Sequence, residues 1–161
     1  MIINPSHIEY FRFEEDFIED NLRCIPMVVR LKLDTIHIKL PLKAWSRFTG
    51  DERTQLALDP CETETDILEY KNLVLELAKH YSIEDLGIIS TGEKPGWDNP
   101  DCIPESLMEK FDQFRQQISI SQWKTLTLLQ RFALIKLSRP GHESKNFEKA
   151  IAEFGLFKKA L

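Results

Sequence analysis

The sequence lacks the features that mark several broad classes of protein. Only three of its 161 residues are cysteine, and no two form a CxxC pair. Reduced thiols in the cytoplasm fit this better than a disulfide framework. No run approaches the roughly 18 apolar residues of a membrane span. Residues 1–13 have neither the basic start nor the apolar core of a signal peptide. We therefore expect a cytoplasmic protein without a membrane segment.

Signatures of known chemistry are missing as well. The chain contains no GxGxxG, Walker loop, HExxH, GxSxG or zinc-spaced set of Cys and His. We therefore expect no catalytic residue, no cofactor and no metal, in a protein that is not an enzyme. A metal site would require folding to gather the four distant histidines and three cysteines. The alternative for Cys24 and Cys102 is that both are small buried apolar side chains.

What the chain does contain is the material of a globular core. Hydrophobic residues make up 42% and charged residues 29%, a balance too apolar for a disordered chain. The length suits a single domain, residues 1–161. A net charge of -5 argues against nucleic-acid binding, because phosphate recognition needs clustered Lys and Arg. We interpret such a chain as a protein that binds another protein.

The chain aligns with itself, so that residues 24–77 match residues 102–155 without a gap. The ten identities include Cys24-Ile25-Pro26 with Cys102-Ile103-Pro104 and Trp45 with Trp123. This internal repeat predicts an all-α fold of two pseudo-repeated helical halves, packed as one globular domain and joined by a loop at residues 82–101. That loop is rich in Gly and Pro.

Both halves carry a capping box four residues after the tryptophan, Thr49 with Glu52 and Thr127 with Gln130. In such a box the Thr hydroxyl accepts a hydrogen bond from the amide three residues on, and the Glu or Gln side chain accepts one from the Thr amide. Each half is therefore expected to contain a short helix, a threonine cap and a longer helix.

One stretch of the first half supports two assignments. Residues 28–42 alternate apolar and polar side chains, as strands do, but the matching residues 104–114 have clear helical spacing. We assign a helix from Pro26 to about Asp34 and keep a short β element near residues 36–40 as the alternative. The other predicted helices are 13–21, 66–81 and 146–154.

The segment at residues 138–143 is the most unusual in composition. Pro140 is expected to end the preceding helix, and Gly141 permits a positive φ. The resulting turn would expose polar side chains for recognition, since loops often carry binding residues. The candidate partner-binding residues are Arg139, His142, Glu143 and Asn146. The alternative is a structural turn whose charged side chains cap neighbouring helices.

Two further features have both a functional and a structural interpretation. Trp45 and Trp123 would suit the anchor points of an interface. Symmetric tryptophans are, however, more typical of a core packed between two halves. An acidic cluster near the N-terminus is typical of a solvated face rather than a docking patch. Its members are Glu14, Glu15, Asp16, Glu19 and Asp20.

Two long motifs resemble those of a known family. Residues 23–48 begin RCIPMVVRLKLD and end LKAWSRF, and residues 128–142 read LLQRFALIKLSRPGH. Asn-Phe at 146–147 and Phe-Gly-Leu at 154–156 follow. These motifs resemble the signatures of the nitrate reductase-associated protein family of cyanobacteria and some other bacteria. His37 stands where the family pattern has a glycine.

The resemblance implies an accessory protein of assimilatory nitrate reductase, a molybdopterin and iron-sulfur enzyme. Such a protein would bind the reductase or a maturation intermediate and be needed for its assembly, cofactor loading or activity. The family defines no catalytic residue, so none is carried over. The alternative is an acidic, helix-turn-helix-like regulator of nitrate assimilation that binds nucleic acid, because the helix-cap-helix units share that outline.

Overall fold

A computed structural model describes residues 8–89, 96–141 and 145–157. Over these residues the chain is mostly helical, with one sheet of two short strands, so the predicted all-α class is confirmed. The chain divides into two compact units, Met1–Glu93 and Lys94–Leu161. The division lies inside the loop predicted at residues 82–101. The packing of both halves as one domain stays a prediction.

Among the residues that the structure describes, the first element of the first unit is a 3-10 turn at Arg12–Glu14, and helices and one strand pair follow it. Its helices are α1 Glu15–Glu19, α2 Met27–Thr35, α3 Leu42–Trp45, α4 Gly50–Leu58 and α5 Glu64–His80. Strand β1, Ile38–Lys39, pairs antiparallel with β2, Gly87–Ile88. Both the helix assigned from Pro26 and the short β element near 36–40 are therefore present. Residues 87–88, predicted as loop, instead form the partner strand.

The second unit is helical in the part of it that the structure describes. Its helices are α6 Glu105–Gln113, α7 Ile120–Thr125, α8 Leu128–Ser138 and α9 Phe147–Glu153. Helix α8 packs against both α6 and α9 and supplies much of the core. Its buried apolar side chains include Phe132 and Leu134, neither of which has any exposed surface. Gly155 follows α9 with a φ of +71°, as expected of a residue that ends a helix.

Helices of the two units recur at the spacing of the sequence repeat. Helices α2 and α6 begin and end at equivalent positions of the repeat, and α3 and α7, like α4 and α8, begin at equivalent positions. Pro26 and Pro104 are the N-cap residues of α2 and α6. These coincidences support the internal repeat that we propose for residues 24–77 and 102–155.

The correspondence of buried positions stops before the last helix of each unit. Tyr70 and Val74 are buried in α5, but the residues at the equivalent positions of the repeat, Glu148 and Ala152, are exposed in α9. The two helices therefore turn different faces to the core. Helix α5 has 17 residues, whereas α9 has seven.

Candidate partner-binding surface

The turn after α8 has the geometry that its Pro and Gly predict. Helix α8 ends at Ser138, whose Oγ donates a hydrogen bond to the Ile135 carbonyl at 2.6 Å. Arg139 is the C-cap and its side chain is exposed. Gly141 has a φ of +140°, and a Cβ added there would meet no atom within 4 Å. The turn is thus open on the outside at Gly141, and Arg139 is displayed beside it.

The four candidate residues are placed unequally. His142 and Glu143 lie outside the described residues. Asn146 is half-buried and is the N-cap of α9, but its side chain makes no capping hydrogen bond. The exposed guanidinium of Arg139 is therefore the part of the candidate site that the structure displays. The convergence of all four side chains stays a prediction.

Positive charge collects on both sides of the turn. Lys136 precedes it on α8, with its Nζ 5.4 Å from the Phe132 ring centre, and the exposed Lys145 and Lys149 follow it. The first unit holds 18 acidic and ten basic residues, a net charge of -8, and the second holds eight acidic and 11 basic, a net charge of +3. Sequence reasoning missed this asymmetry because it used only the net charge of the whole chain.

The two tryptophans are core residues rather than interface anchors. Trp45 and Trp123 have no exposed surface. The indole of Trp45 donates to the Leu22 carbonyl at 2.7 Å, and that of Trp123 donates to the Asn99 carbonyl at 2.9 Å. Buried indoles need such partners. Each acceptor here is a backbone oxygen in the same unit as its own tryptophan. The structural interpretation of the tryptophans is thus correct as to burial. Packing between the halves stays a prediction.

The family signature extends over nearly all of this scaffold. A model of the conserved nitrate reductase-associated proteins matches residues 10–154. The chain belongs to this family. No curated protein and no solved structure matches it significantly. The matched residues include most of both units, the turn after α8 and all of α9, so the family pattern covers the candidate surface together with its support.

The acidic cluster of this family member is not uniformly solvated. Glu15, Asp16, Glu19 and Asp20 are exposed, but only 1% of Glu14 is accessible, so its assignment to the solvated face is wrong. Its Oε1 accepts from the Met27 amide at 2.7 Å and its Oε2 from the Phe11 amide at 3.0 Å. Glu14 therefore caps the start of α2. No local sequence pattern could indicate the contact of Glu14 with the Met27 amide, because the two residues lie 13 positions apart in the chain.

The cysteines are less buried than the sequence analysis expected. All three are free, with Cys24 and Cys61 half-buried and Cys102 exposed, so the interpretation of residues 24 and 102 as buried side chains is wrong for Cys102 and only partly met by Cys24. Within the described ranges, no group of three or more His, Cys, Asp and Glu is arranged to hold a metal ion. In the same ranges, no helix has both the length and the apolar character needed to cross a membrane.

Proposed function

We propose that this protein is an accessory protein of assimilatory nitrate reductase. It binds the reductase or a maturation intermediate and is needed for the assembly, cofactor loading or activity of that enzyme. The observation that carries the proposal is the family match over residues 10–154, because the family is described as associated with nitrate reductase. It acts in the cytoplasm, by protein-protein contact rather than by chemistry of its own.

The turn after α8 is the contact surface that we propose. A guanidinium offers a planar pair of N–H donors that matches a carboxylate, and Arg139 displays one beside the open Gly141. The exposed Lys145 and Lys149 add positive charge on the far side of the turn. Because contacts of this kind depend on charge complementarity, the surface recognised on the reductase is expected to be acidic.

The nucleic-acid alternative fits the fold less well. In a helix-turn-helix protein the second helix must present one face to the major groove. Helix α8, which follows the Thr127 cap, has seven buried residues among its 11, and Arg131 is one of them. Helix α8 is therefore a core helix rather than one that presents a free face to the major groove. Steep weakening of DNA binding with added salt would restore this alternative.

An activity assay in cells tests the proposed function. The double variant Arg139→Ala/His142→Ala is expected to lower reductase activity in cells whose own copy of the protein has been deleted. Arg139 is exposed, so its substitution should change stability by less than about 0.5 kcal/mol, and the thermal midpoint of the double variant shows whether the turn stays folded. Lys124→Ala is the matched control, since Lys124 is an exposed cation of the same unit, paired with Asp101 at 3.1 Å.

The same experiment separates contact from structure. If the double variant unfolds, the turn is structural and the contact lies elsewhere. If it folds and supports full activity, the turn is not the contact surface. Co-purification with apo and with mature reductase then identifies the step that is assisted, because a maturation factor binds the apo form, whereas a regulator of activity binds the mature enzyme. Purified mature reductase should keep its own rate without the accessory protein if maturation is the step.

A further inference from the structure

Strand β2 is the outer strand of the two-stranded sheet. Its partner β1 is anchored in the first unit, because the side chain of Ile38 is only 6% exposed and the strand packs against α2. Ile88 lies directly opposite Ile38 and is 90% exposed, more than any other large apolar side chain in the part of the chain that the structure describes. The pair thus has a buried member on β1 and a solvent-exposed member on β2.

The hydrogen bonds between the strands direct the main-chain groups of Ile88 outward. The Ile89 amide donates to the His37 carbonyl at 2.9 Å. That bond lies next to the pair Ile38 and Ile88, which is consequently a non-hydrogen-bonded pair of the antiparallel ladder. In such a pair the N–H and C=O of each residue point away from the opposite strand. Neither group of Ile88 has a hydrogen-bond partner among the described residues, so β2 presents one free donor and one free acceptor.

The edge is held in place by a close approach of the two strands. A Cβ added at Gly87 would lie 3.0 Å from the Cβ of Lys39, the residue directly opposite, which is a tighter separation than side chains normally reach. Glycine therefore permits the strands to pair at this point. An edge that is already in the extended form needs little ordering when a further strand arrives, and this favours binding.

The strand pair is also peculiar to the first unit among the residues that the structure describes. The residues that the repeat makes equivalent to β1, 116–117, form no strand in the second unit. The helices of a unit can therefore pack without such a pair. This leaves the exposed edge of β2 available for a role other than completing the core.

The charge beside the edge is negative. Glu84 and Asp85 lie four and three residues before Ile88, and both are exposed. Residues 81–89 contain no Lys, Arg or His. The exposed Lys39 lies on β1, which would be separated from an added strand by β2. The local charge has the same sign as that of the whole unit, whose net charge is -8.

We propose that β2 binds an extended, basic segment of a partner protein, which adds to the sheet as a third strand. The free N–H and C=O of Ile88 select an extended main chain, because the main-chain groups of a helix are already paired with each other. An apolar residue of the segment would lie opposite Ile88 and cover its side chain. Lys or Arg beyond that residue would face Glu84 and Asp85.

Other occupants fit this edge less well. A second copy of the chain would bring a second unit of net charge -8 against the first. An anionic lipid surface would likewise be repelled by Glu84 and Asp85. The proposal uses none of the residues of the turn after α8, so its failure and the failure of the proposed function are separate results.

A strand-forming peptide provides the direct test. The probe alternates valine and threonine and ends in two lysines, and fluorescence anisotropy with the full chain is expected to show saturable binding. In a strand the amides of alternate residues point to the same edge, so valines that cover Ile88 also direct their amides at β2. N-methylation of the valines should therefore weaken binding at least about tenfold, whereas N-methylation of the threonines should leave it nearly unchanged.

Two further results of the peptide experiment decide the proposal. Replacement of the two lysines by glutamates should weaken binding at least about tenfold, and amide chemical-shift changes should concentrate on residues 84–89. Absence of saturable binding, equal effects of the two N-methylations, or shifts elsewhere would overturn the proposal.

Variants of the protein assign the binding to β2. Ile88→Pro removes the outward N–H and is compatible with an edge strand, because that N–H is free and the preceding residue, Gly87, has no Cβ to clash with the proline ring. It should weaken the lysine peptide at least about tenfold at a nearly unchanged thermal midpoint. Ile88→Val is the matched control, which keeps the N–H and an apolar side chain and should leave the affinity within about twofold.

Reversal of the flanking charge completes the test. Glu84→Lys/Asp85→Lys should transfer the preference to the glutamate peptide, and this result decides the matter if the proline variant fails to fold; an unchanged preference would overturn the proposal. A dimer seen by sedimentation that Ile88→Pro dissociates would assign the edge to a second copy instead and overturn it. Binding of the wild-type protein to anionic-lipid vesicles that depends on Ile88 would also overturn it.

Discussion

The guanidinium of Arg53 lies 5.9 Å from the ring centre of Trp45, and Arg131 lies at the same 5.9 Å from Trp123. Each arginine is four residues after the threonine cap of its helix, so the stem and head cover the tryptophan that precedes the cap. Arg53 also donates from Nε to the Trp45 carbonyl at 3.2 Å, and Arg131 from Nε to the Trp97 carbonyl at 2.7 Å. The same arginine thus closes the corner between a short and a longer helix in both units.

Arg131→Lys is expected to lower the free energy of unfolding by about 1.5–3 kcal/mol. Arg131 covers the indole of Trp123 and donates to the carbonyls of Trp97 and Leu126, and a lysine ammonium cannot do both. A carbonyl that is left without a donor away from water costs free energy. Chemical denaturation of the purified protein measures the change. Arg139→Lys is the control, because Arg139 is exposed and should change stability by less than about 0.5 kcal/mol. Equal effects of the two substitutions would contradict a structural role for Arg131.

The capping boxes make a second, independent prediction. Thr49 Oγ accepts from the Glu52 amide and Thr127 Oγ from the Gln130 amide, each at 3.1 Å. Thr49→Ala and Thr127→Ala are each expected to cost about 0.5–2 kcal/mol of stability, because each removes the acceptor of an otherwise unpaired first-turn amide. Thr65→Ala, at an exposed position in the first turn of α5, is the control. Denaturation midpoints that do not move in either cap variant would show that the boxes contribute nothing.

Structural features set by residues close together in the sequence could be predicted, whereas features set by distant residues could not. Prolines and capping boxes act within four residues, so the starts of α2, α4, α6 and α8 could be predicted. The strand pair could not, because Ile38 faces Ile88 across the whole stretch of chain that forms α3, α4 and α5. The burial of Glu14 likewise depends on a distant amide, that of Met27.

Exposed surface features also differ in whether neighbouring residues determine them. The exposure of Arg139 follows from the neighbouring Pro and Gly and could be read locally. The exposure of Leu68 and Leu75 on α5 could not, because the sequence shows which face of a helix is more apolar but not that these two leucines fall outside the buried face of Tyr70 and Val74. The chemistry of a partner is not encoded locally at all.

Two residues hold a left-handed backbone at equivalent places, and this predicts the effect of substitution there. His37 has a φ of 60° and Arg115 a φ of 55°, and they occupy equivalent positions of the repeat, after α2 and α6. An L side chain in this conformation costs about 1–2 kcal/mol, which glycine avoids. His37→Gly and Arg115→Gly should therefore preserve or raise stability.

Substitution of His37 and Arg115 by a β-branched residue gives a stricter test of the left-handed backbone. His37→Val and Arg115→Val should be at least about 1 kcal/mol less stable than the corresponding glycine variants, because a branched Cβ is least tolerated at positive φ. Thermal and chemical unfolding of the four variants measures the order. Valine variants as stable as glycine variants would show that the backbone at these positions is not held left-handed.

The capping boxes of the two units differ in charge. In the first unit the reciprocal side chains are the carboxylates of Glu52 and Asp66, whereas in the second they are the amides of Gln122 and Gln130. Burial acts to raise the pKa of Glu52, but hydrogen bonds from the Thr49 amide and the Tyr81 hydroxyl outweigh it and lower that pKa below its ordinary value. The hydrogen bond from the Thr63 amide likewise lowers the pKa of Asp66.

Acid should therefore weaken the caps of α4 and α5 before those of α7 and α8. A carboxyl group whose pKa is lower in the folded state stabilises that state fully above its unfolded pKa, about 4 for these two residues, and this contribution is lost as the pH falls through the folded pKa. Glu52→Gln/Asp66→Asn should accordingly show a smaller fall in thermal midpoint between pH 7 and pH 3 than the wild type. Gln130→Glu should show a larger fall, because it introduces a titrating group into a box that now has none. Identical acid dependence in all three proteins would mean that these caps do not titrate with folding.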